Sequence, residues 1–312
     1  MMNNIGNPGG IQWNGDVDNE LIFGTSWADL LYGDEGDDLV YGFEENDTIV
    51  GGLGQNRLFG DGGDDLIFLG TKATEVGPGR LVGEWPFFPD SFTSLNTNNG
   101  VMADSQSFAH GGSGNDQIIG TWTDDIIFGG PGHDFIEAAR GNDYIDAGDG
   151  DDVVWVTYGD DEIFGGKGDD YLMVRGNAND ANVSANDIHG GEGDDIIRGH
   201  RGPDDLFGDE GDDEIHGDEG DDEIWGGEGD DRLFGGFNSI GTNKTDFVSG
   251  GPGNDIIYGG TSKSMVGGYG NGGTNGVVDF KYLYGDEGHD NIFGSDFTHN
   301  SYIKGGSGDD FI

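Results

Sequence analysis

Aliphatic side chains return every nine residues along most of this chain. They stand at Leu31, Val40, Ile49, Leu58 and Ile67, resume at Ile118, Ile127, Ile136, Ile145, Val154, Ile163 and Leu172, and resume again at Ile197, Leu206, Ile215, Ile224 and Leu233. The positions between them are mostly glycine, aspartate and asparagine. No amphipathic helix has this period, because its apolar face returns about every 3.6 residues. A three-residue strand followed by a six-residue turn does have it: the central strand residue faces inward, and stacked units build a thin core with one aliphatic from each.

The segments GDEGDDLVY from Gly33, GDGGDDLIF from Gly60, GGSGNDQII from Gly111, GGKGDDYLM from Gly165 and GGEGDDIIR from Gly190 align as G-G/D-x-G-N/D-D-x-I/L/V-x. Twenty such units can be marked, with the aliphatic at the eighth position in each. Glycines at the first, second and fourth positions permit positive φ and let backbone carbonyls converge. Aspartate at the sixth position brings a carboxylate to those carbonyls. An all-oxygen set of this kind suits a hard cation such as Ca²⁺, which takes about six to eight oxygens in flexible geometry.

Charge makes the cation necessary. There are 62 Asp and Glu against 13 Lys and Arg, a formal charge of −49, and the stretch from Gly208 to Asp231 contains no basic side chain except His216. That balance excludes a nucleic-acid surface. Low hydrophobicity with high net charge reads as disorder unless a counter-ion neutralises it. Cysteine is absent, so neither disulfides nor thiolate metal sites hold the fold. The first residues show no basic segment followed by an apolar run, and no stretch reaches membrane-spanning length.

With the repeats in view, the sequence resembles the RTX family of calcium-binding nonapeptide proteins. The resemblance implies an all-β fold, a parallel β-roll (a right-handed β-solenoid) with two repeats per coil. It also implies multiple Ca²⁺ ions between loops stacked on the same edge, eighteen residues apart, and an extracellular location, secreted or on the cell surface. The expected organisation is an N-terminal cap over residues 1–14 and one roll over 15–312. Insertions fall at 69–110, 174–189, 235–249, 259–284 and 294–304.

Counting each insertion as one repeat with an enlarged turn, and adding a degenerate unit at 15–23, gives twenty-six repeats or thirteen coils. All five insertions then share one edge, and four of them end in a strand with its aliphatic in place, at Ile188, Val248, Leu283 and Ile303. The first insertion is the exception, because Ala109 stands where the aliphatic is expected. A hidden strand near Leu81 and Val82 would exchange the edges beyond it.

The regular edge has its metal-ligating aspartates at Asp29, Asp47, Asp65, Asp116, Asp134, Asp152, Asp170, Asp195, Asp213, Asp231, Asp255, Asp290 and Asp310. On the inserted edge the candidates are Asp38, Asp125, Asp143, Asp161, Asp204, Asp222 and Asp246, while Asn56, Ser107, Asn186, Lys281 and Ser301 replace aspartate and put calcium there in doubt.

Two further features bear on partners. The longest insertion carries Trp85, Phe87, Phe88 and Phe92, readable as a lid on the roll or as a contact surface, and the ninth position is often aromatic, as at Tyr41, Phe59, Phe164, Phe207 and Trp225. These outward rings are expected to stack on their neighbours. The seven histidines are scattered and belong to no hydrolase motif, so the sequence reads as non-enzymatic. Two roles follow: a structural protein that folds in calcium and self-associates head to tail, with Ile312 in a C-terminal coil docking on the segment before Gly24, or a binding module that presents the inserted edge to a glycan or cell surface.

Overall fold

The computed structural model describes residues 9–70, 106–176, 184–236, 245–259, 280–293 and 301–312. Among them are twenty-six strands and no helix, arranged as two parallel sheets of thirteen strands each. Strands taken alternately along the chain belong to alternate sheets. The odd sheet starts with the strand Gln12–Asn14 and the even sheet with Leu21–Phe23, so two successive strands make one coil of a parallel β-roll.

The inferred register holds throughout. Leu31 pairs with Ile49 and Ile49 with Ile67 in the odd sheet, while Val40 pairs with Leu58 in the even sheet. Every eighth-position aliphatic from Leu31 to Ile292 is at most 1% exposed. Together they form one continuous core between the sheets. Fully burying such a side chain contributes roughly 1.5–3 kcal/mol, and the core is long and thin, with one residue from most strands and a second from a few, as with Val154 and Val156.

The insertions do not disturb this order. Leu58 pairs directly with Ala109 across the first insertion, and Ile67 pairs with Ile118. Ala109 therefore occupies a core position, and the two edges keep their identity beyond it. The strands that close the five insertions, beginning at Ser107, Asp187, Thr245, Phe280 and Ser301, all lie in the even sheet.

Three details differ from expectation. Many strands are six residues long, as in Leu30–Glu35, where pairing continues past the core residue to Asp34↔Gly52 and Glu35↔Leu53. In those repeats the first half of the expected turn is thus strand, and the chain reverses over the fourth to sixth positions. The strand Gln12–Asn14, within the segment expected as a cap, pairs with Leu30–Tyr32 and packs Trp13 on the core. At the other end Ile312 is 63% exposed and not inward-facing, because Phe311 makes just an isolated bridge to Asn291. The aromatic cluster of the first insertion, with Leu81 and Val82, and the glycine loop within 259–284 lie outside the described residues.

Candidate metal centre

The turns are shaped by their second position. Gly112 adopts φ 114°, and aspartates at equivalent places, Asp34, Asp61 and Asp209, adopt φ 75°. Aspartate tolerates this left-handed region better than most residues, and glycine better still. Close approach adds a second demand at Gly112, where a Cβ would lie 2.0 Å from the carbonyl oxygen of Asp61 in the preceding coil.

The sixth-position aspartates stack into ladders. The N–H of Asp29 donates to Asp47 Oδ1 at 2.7 Å, that of Asp47 to Asp65 Oδ1 at 2.7 Å, and that of Asp65 to Asp116 Oδ1 at 2.7 Å across the first insertion. The series runs on through Asp134, Asp152, Asp170, Asp195, Asp213, Asp231, Asp255 and Asp290, ending with the Asp290 N–H on Asp310 Oδ1 at 3.3 Å. Each coil thereby holds one oxygen of the next coil's carboxylate.

The second oxygen has a different fate. Asp47, Asp65, Asp116, Asp134, Asp152, Asp170, Asp195, Asp213, Asp231, Asp255 and Asp290 on the regular edge, with Asp38, Asp143, Asp161 and Asp204 on the other, each bury an Oδ2 that accepts no hydrogen bond. Their side chains are all at most 2% exposed. A Cβ built on Gly111 would lie 2.3 Å from Asp116 Oδ2 and 2.7 Å from the Gly129 carbonyl oxygen, so both oxygens border one small space between loops. Leaving a buried carboxylate oxygen without a donor is costly. Among the described residues no three acidic or histidine side chains converge on one point. The donor set is one carboxylate per loop plus backbone carbonyls, which fits Ca²⁺ and suits neither zinc nor a softer metal.

Electrostatics point the same way. Burial, with repulsion from stacked neighbours, raises Asp47, Asp116, Asp152, Asp213 and Asp255 to about 8 and Asp143 to about 10. At about 1.4 kcal/mol per pH unit, the rise of Asp213 to about 8 from about 3.9 in an unfolded chain destabilises a metal-free fold by roughly 4 kcal/mol at pH 7, chiefly as the cost of protonating it. The net stability of a whole domain is about 5–15 kcal/mol, so several such rungs exceed it. A divalent cation removes the conflict.

The inserted edge is interrupted where the sequence departs from aspartate. Asn56 and Asn186 still accept the ladder bond, from Asp38 N–H at 3.0 Å and Asp161 N–H at 3.2 Å. Each then turns an amide where a second carboxylate oxygen would be, Asn186 Nδ2 donating to Asp204 Oδ1 at 2.7 Å and Asn56 Nδ2 to the Leu69 carbonyl at 3.3 Å. Ser107 is buried in register with Asp125, and the Asp246 backbone is in register with Lys281, which in turn pairs with Ser301. Asp222 and Asp246 are fully buried, whereas Asp310 is half-buried. One member escaped the sequence reading: Glu20 occupies the sixth position of the degenerate unit, its N–H donates to Asp38 Oδ1 at 2.9 Å, and burial raises its carboxyl. Aligning residues 15–23 by position would have revealed it.

The family comparison agrees with this chemistry. No curated protein matches the chain. A solved structure described as a hyperactive, Ca²⁺-dependent, β-helical antifreeze protein from an Antarctic bacterium is 17% identical, with a TM-score of 0.49 over 96% of this chain and 80% of that one. The model of the RTX calcium-binding nonapeptide repeat matches residues 14–42, 41–71, 108–136, 128–157, 146–178, 180–215, 207–239 and 240–262. With these matches over more than half its length, and with ladders of buried carboxylates at every second repeat, the chain belongs to the RTX calcium-binding repeat family and its β-roll binds multiple Ca²⁺ ions.

Proposed function

We propose that this β-roll is an extracellular structural element which folds when calcium fills its ladders and then assembles end to end. The fifteen buried Oδ2 atoms that lack a donor are the observation that carries the calcium dependence. Extracellular calcium modules commonly bind with dissociation constants of roughly 10⁻⁴ to 10⁻³ M, and sites created by folding add their binding energy to stability. The chain therefore remains unfolded in a low-calcium cytosol and folds outside, in keeping with a repeat family that is typically secreted.

Assembly is supported by where apolar surface lies. Among the described residues, Val17, Leu21, Phe23 and Trp27 are exposed near one end of the roll, and Tyr282, Phe293, Tyr302, Phe311 and Ile312 near the other. Among the described residues the outermost strands of each sheet pair with one strand each, with Phe311 bridged to Asn291 beside the last odd strand, and an uncovered strand edge is a template for pairing. Stacking one end on the other is a heterologous, non-closing contact that gives a filament. Light scattering and electron microscopy at millimolar calcium test it: growth in length with protein concentration is expected, and a strict monomer at high concentration contradicts it.

A second reading rests on the outer face of the even sheet, the sheet that follows the inserted loops. Its rings stack from strand to strand, Tyr41 on Phe59 at 4.8 Å, His189 on Phe207 at 4.3 Å and Phe207 on Trp225 at 4.5 Å. Such a stripe suits the apolar faces of a glycan on a cell surface. Glycan-array binding that is lost in Trp225→Ala, with folding intact, would favour this role over assembly.

A further inference from the structure

In two loops of the described residues, one on each edge, a threonine holds the sixth-position carboxylate. They are GTSWAD, residues 24–29, and GTWTDD, residues 120–125. Each has threonine at the second position and lacks glycine at the fourth. Neither Thr25 nor Thr121 is among the residues with positive φ, consistent with the penalty that region imposes on a β-branched side chain. With φ negative, the threonine N–H turns into the loop instead of away from it. The Thr121 N–H donates to Asp125 Oδ2 at 2.6 Å, and the Thr25 N–H donates to Asp29 Oδ2 in the same way.

The hydroxyls complete the closure. Thr121 Oγ1 lies 3.1 Å from Asp125 Oδ1 and 3.0 Å from Oδ2, 3.3 Å from the Thr123 carbonyl oxygen, and accepts the Thr123 N–H at 3.2 Å. Thr25 Oγ1 repeats this with Asp29 Oδ1 at 3.1 Å, the Trp27 carbonyl at 3.3 Å and the Trp27 N–H at 3.2 Å. In both loops the single hydroxyl proton is within reach of the carboxylate and of the turn carbonyl, while the threonine N–H is given to Oδ2. Neither Asp29 nor Asp125 has the donorless Oδ2 found in fifteen other rungs.

We propose that Thr25 and Thr121 close their rungs to calcium, so that a protein hydroxyl and N–H perform there the neutralising role that the ion performs elsewhere. The sequence signature is threonine for glycine or aspartate at the second position of the repeat, together with loss of the fourth-position glycine. On the inserted edge the closed Asp125 rung follows the Asn56 and Ser107 rungs in the stack. Three successive inserted-edge rungs then need no metal, and the inserted-edge calcium ladder beyond the first insertion starts at Asp143.

This inference rests on the calcium reading, and calcium bound per chain, measured by equilibrium dialysis with atomic absorption on the full-length protein at saturating calcium, separates the two. Asp213→Asn is the control and lowers the count by at least one ion; no change there would defeat the calcium reading itself. With that control satisfied, Asp125→Asn leaves the count unchanged, and Thr121→Gly with Thr123→Gly, which restores the glycines of the repeat, raises it by one. A count that falls in Asp125→Asn overturns the inference, as does a folded double variant that gains no ion. If the double variant fails to fold, Asp125→Asn still decides.

Discussion

The regular and inserted edges of the roll are built from the same nine-residue rule, yet they tolerate different things. On the regular edge the N–H to Oδ1 ladder runs from Asp29 to Asp310 with aspartate at each rung, and it passes five insertions on the opposite side without a break. On the inserted edge Asn56 and Asn186 keep the ladder bond but carry no charge. Two functions of one side chain are thereby separated. Stacking the coils requires an oxygen acceptor, which asparagine supplies; holding a cation requires the second, anionic oxygen, which it does not.

The strongest way to break the comparison is to truncate a rung on each side. Asp213→Ala removes the acceptor for Asp195 N–H at 2.8 Å and a carboxylate that borders loops above and below. A buried N–H left without a partner costs about 1–3 kcal/mol, and because that cost is spread over the many ions taken up on folding the calcium midpoint should rise by less than about twofold. Asp246→Ala should shift it less, because the bond it accepts from Asp222 N–H is long at 3.4 Å and its register partner is Lys281. Calcium titrations followed by circular dichroism compare them, and equal shifts would erase the distinction between the edges.

A smaller effect is expected from making the inserted edge resemble the regular one. Asn186→Asp deletes the 2.7 Å amide bond to Asp204 Oδ1 and sets two buried carboxylates together. Folding in calcium should be destabilised by about 1 kcal/mol, read as a small rise of the midpoint. An unchanged or lower midpoint would show that this rung already has room for a shared ion.

The mildest handle is pH. Burial raises the folded-state carboxyls, Asp213 to about 8 and Asp65 and Asp231 to about 6, against about 3.9 in an unfolded chain. Between those values the metal-free fold binds more protons than the unfolded chain, so its instability is full above pH 8 and relaxes as pH falls toward 4. Between pH 8 and pH 6 the unfolded chain and the calcium-loaded fold are both ionised, so the calcium midpoint of folding should change little there, and it should rise only as pH falls toward 4 and protons compete for the carboxylates, while residual structure in chelator increases on acidification. A midpoint unchanged down to pH 4 would mean that these carboxylates are not the ligands.

Much of this was legible because a nine-residue period constrains both core and register. Placing Ile67 opposite Ile118 needed only the eighth-position rule, and the shared edge of the insertions followed from parity. The misses occur where the consensus is silent. The segment around Trp13 lacks the glycine and aspartate of the repeat, so its strand was hidden even though Trp13 falls at the core position. Thr121 departs from the glycine or aspartate of the second position, and the effect of that departure emerges only from the backbone conformation that a β-branched residue avoids. Ile312 fitted the sequence rule, but a core residue also needs a neighbouring coil to cover it.

The central claim is that calcium supplies the missing partners of the buried Oδ2 ladders. Far-ultraviolet circular dichroism of the intact chain at pH 7.5, titrated from excess chelator to millimolar calcium, tests it most directly. The account predicts a disordered spectrum in chelator and a steep, cooperative rise of β-structure with calcium, unmatched by the same concentration of magnesium. The same β content in chelator as in calcium would contradict it.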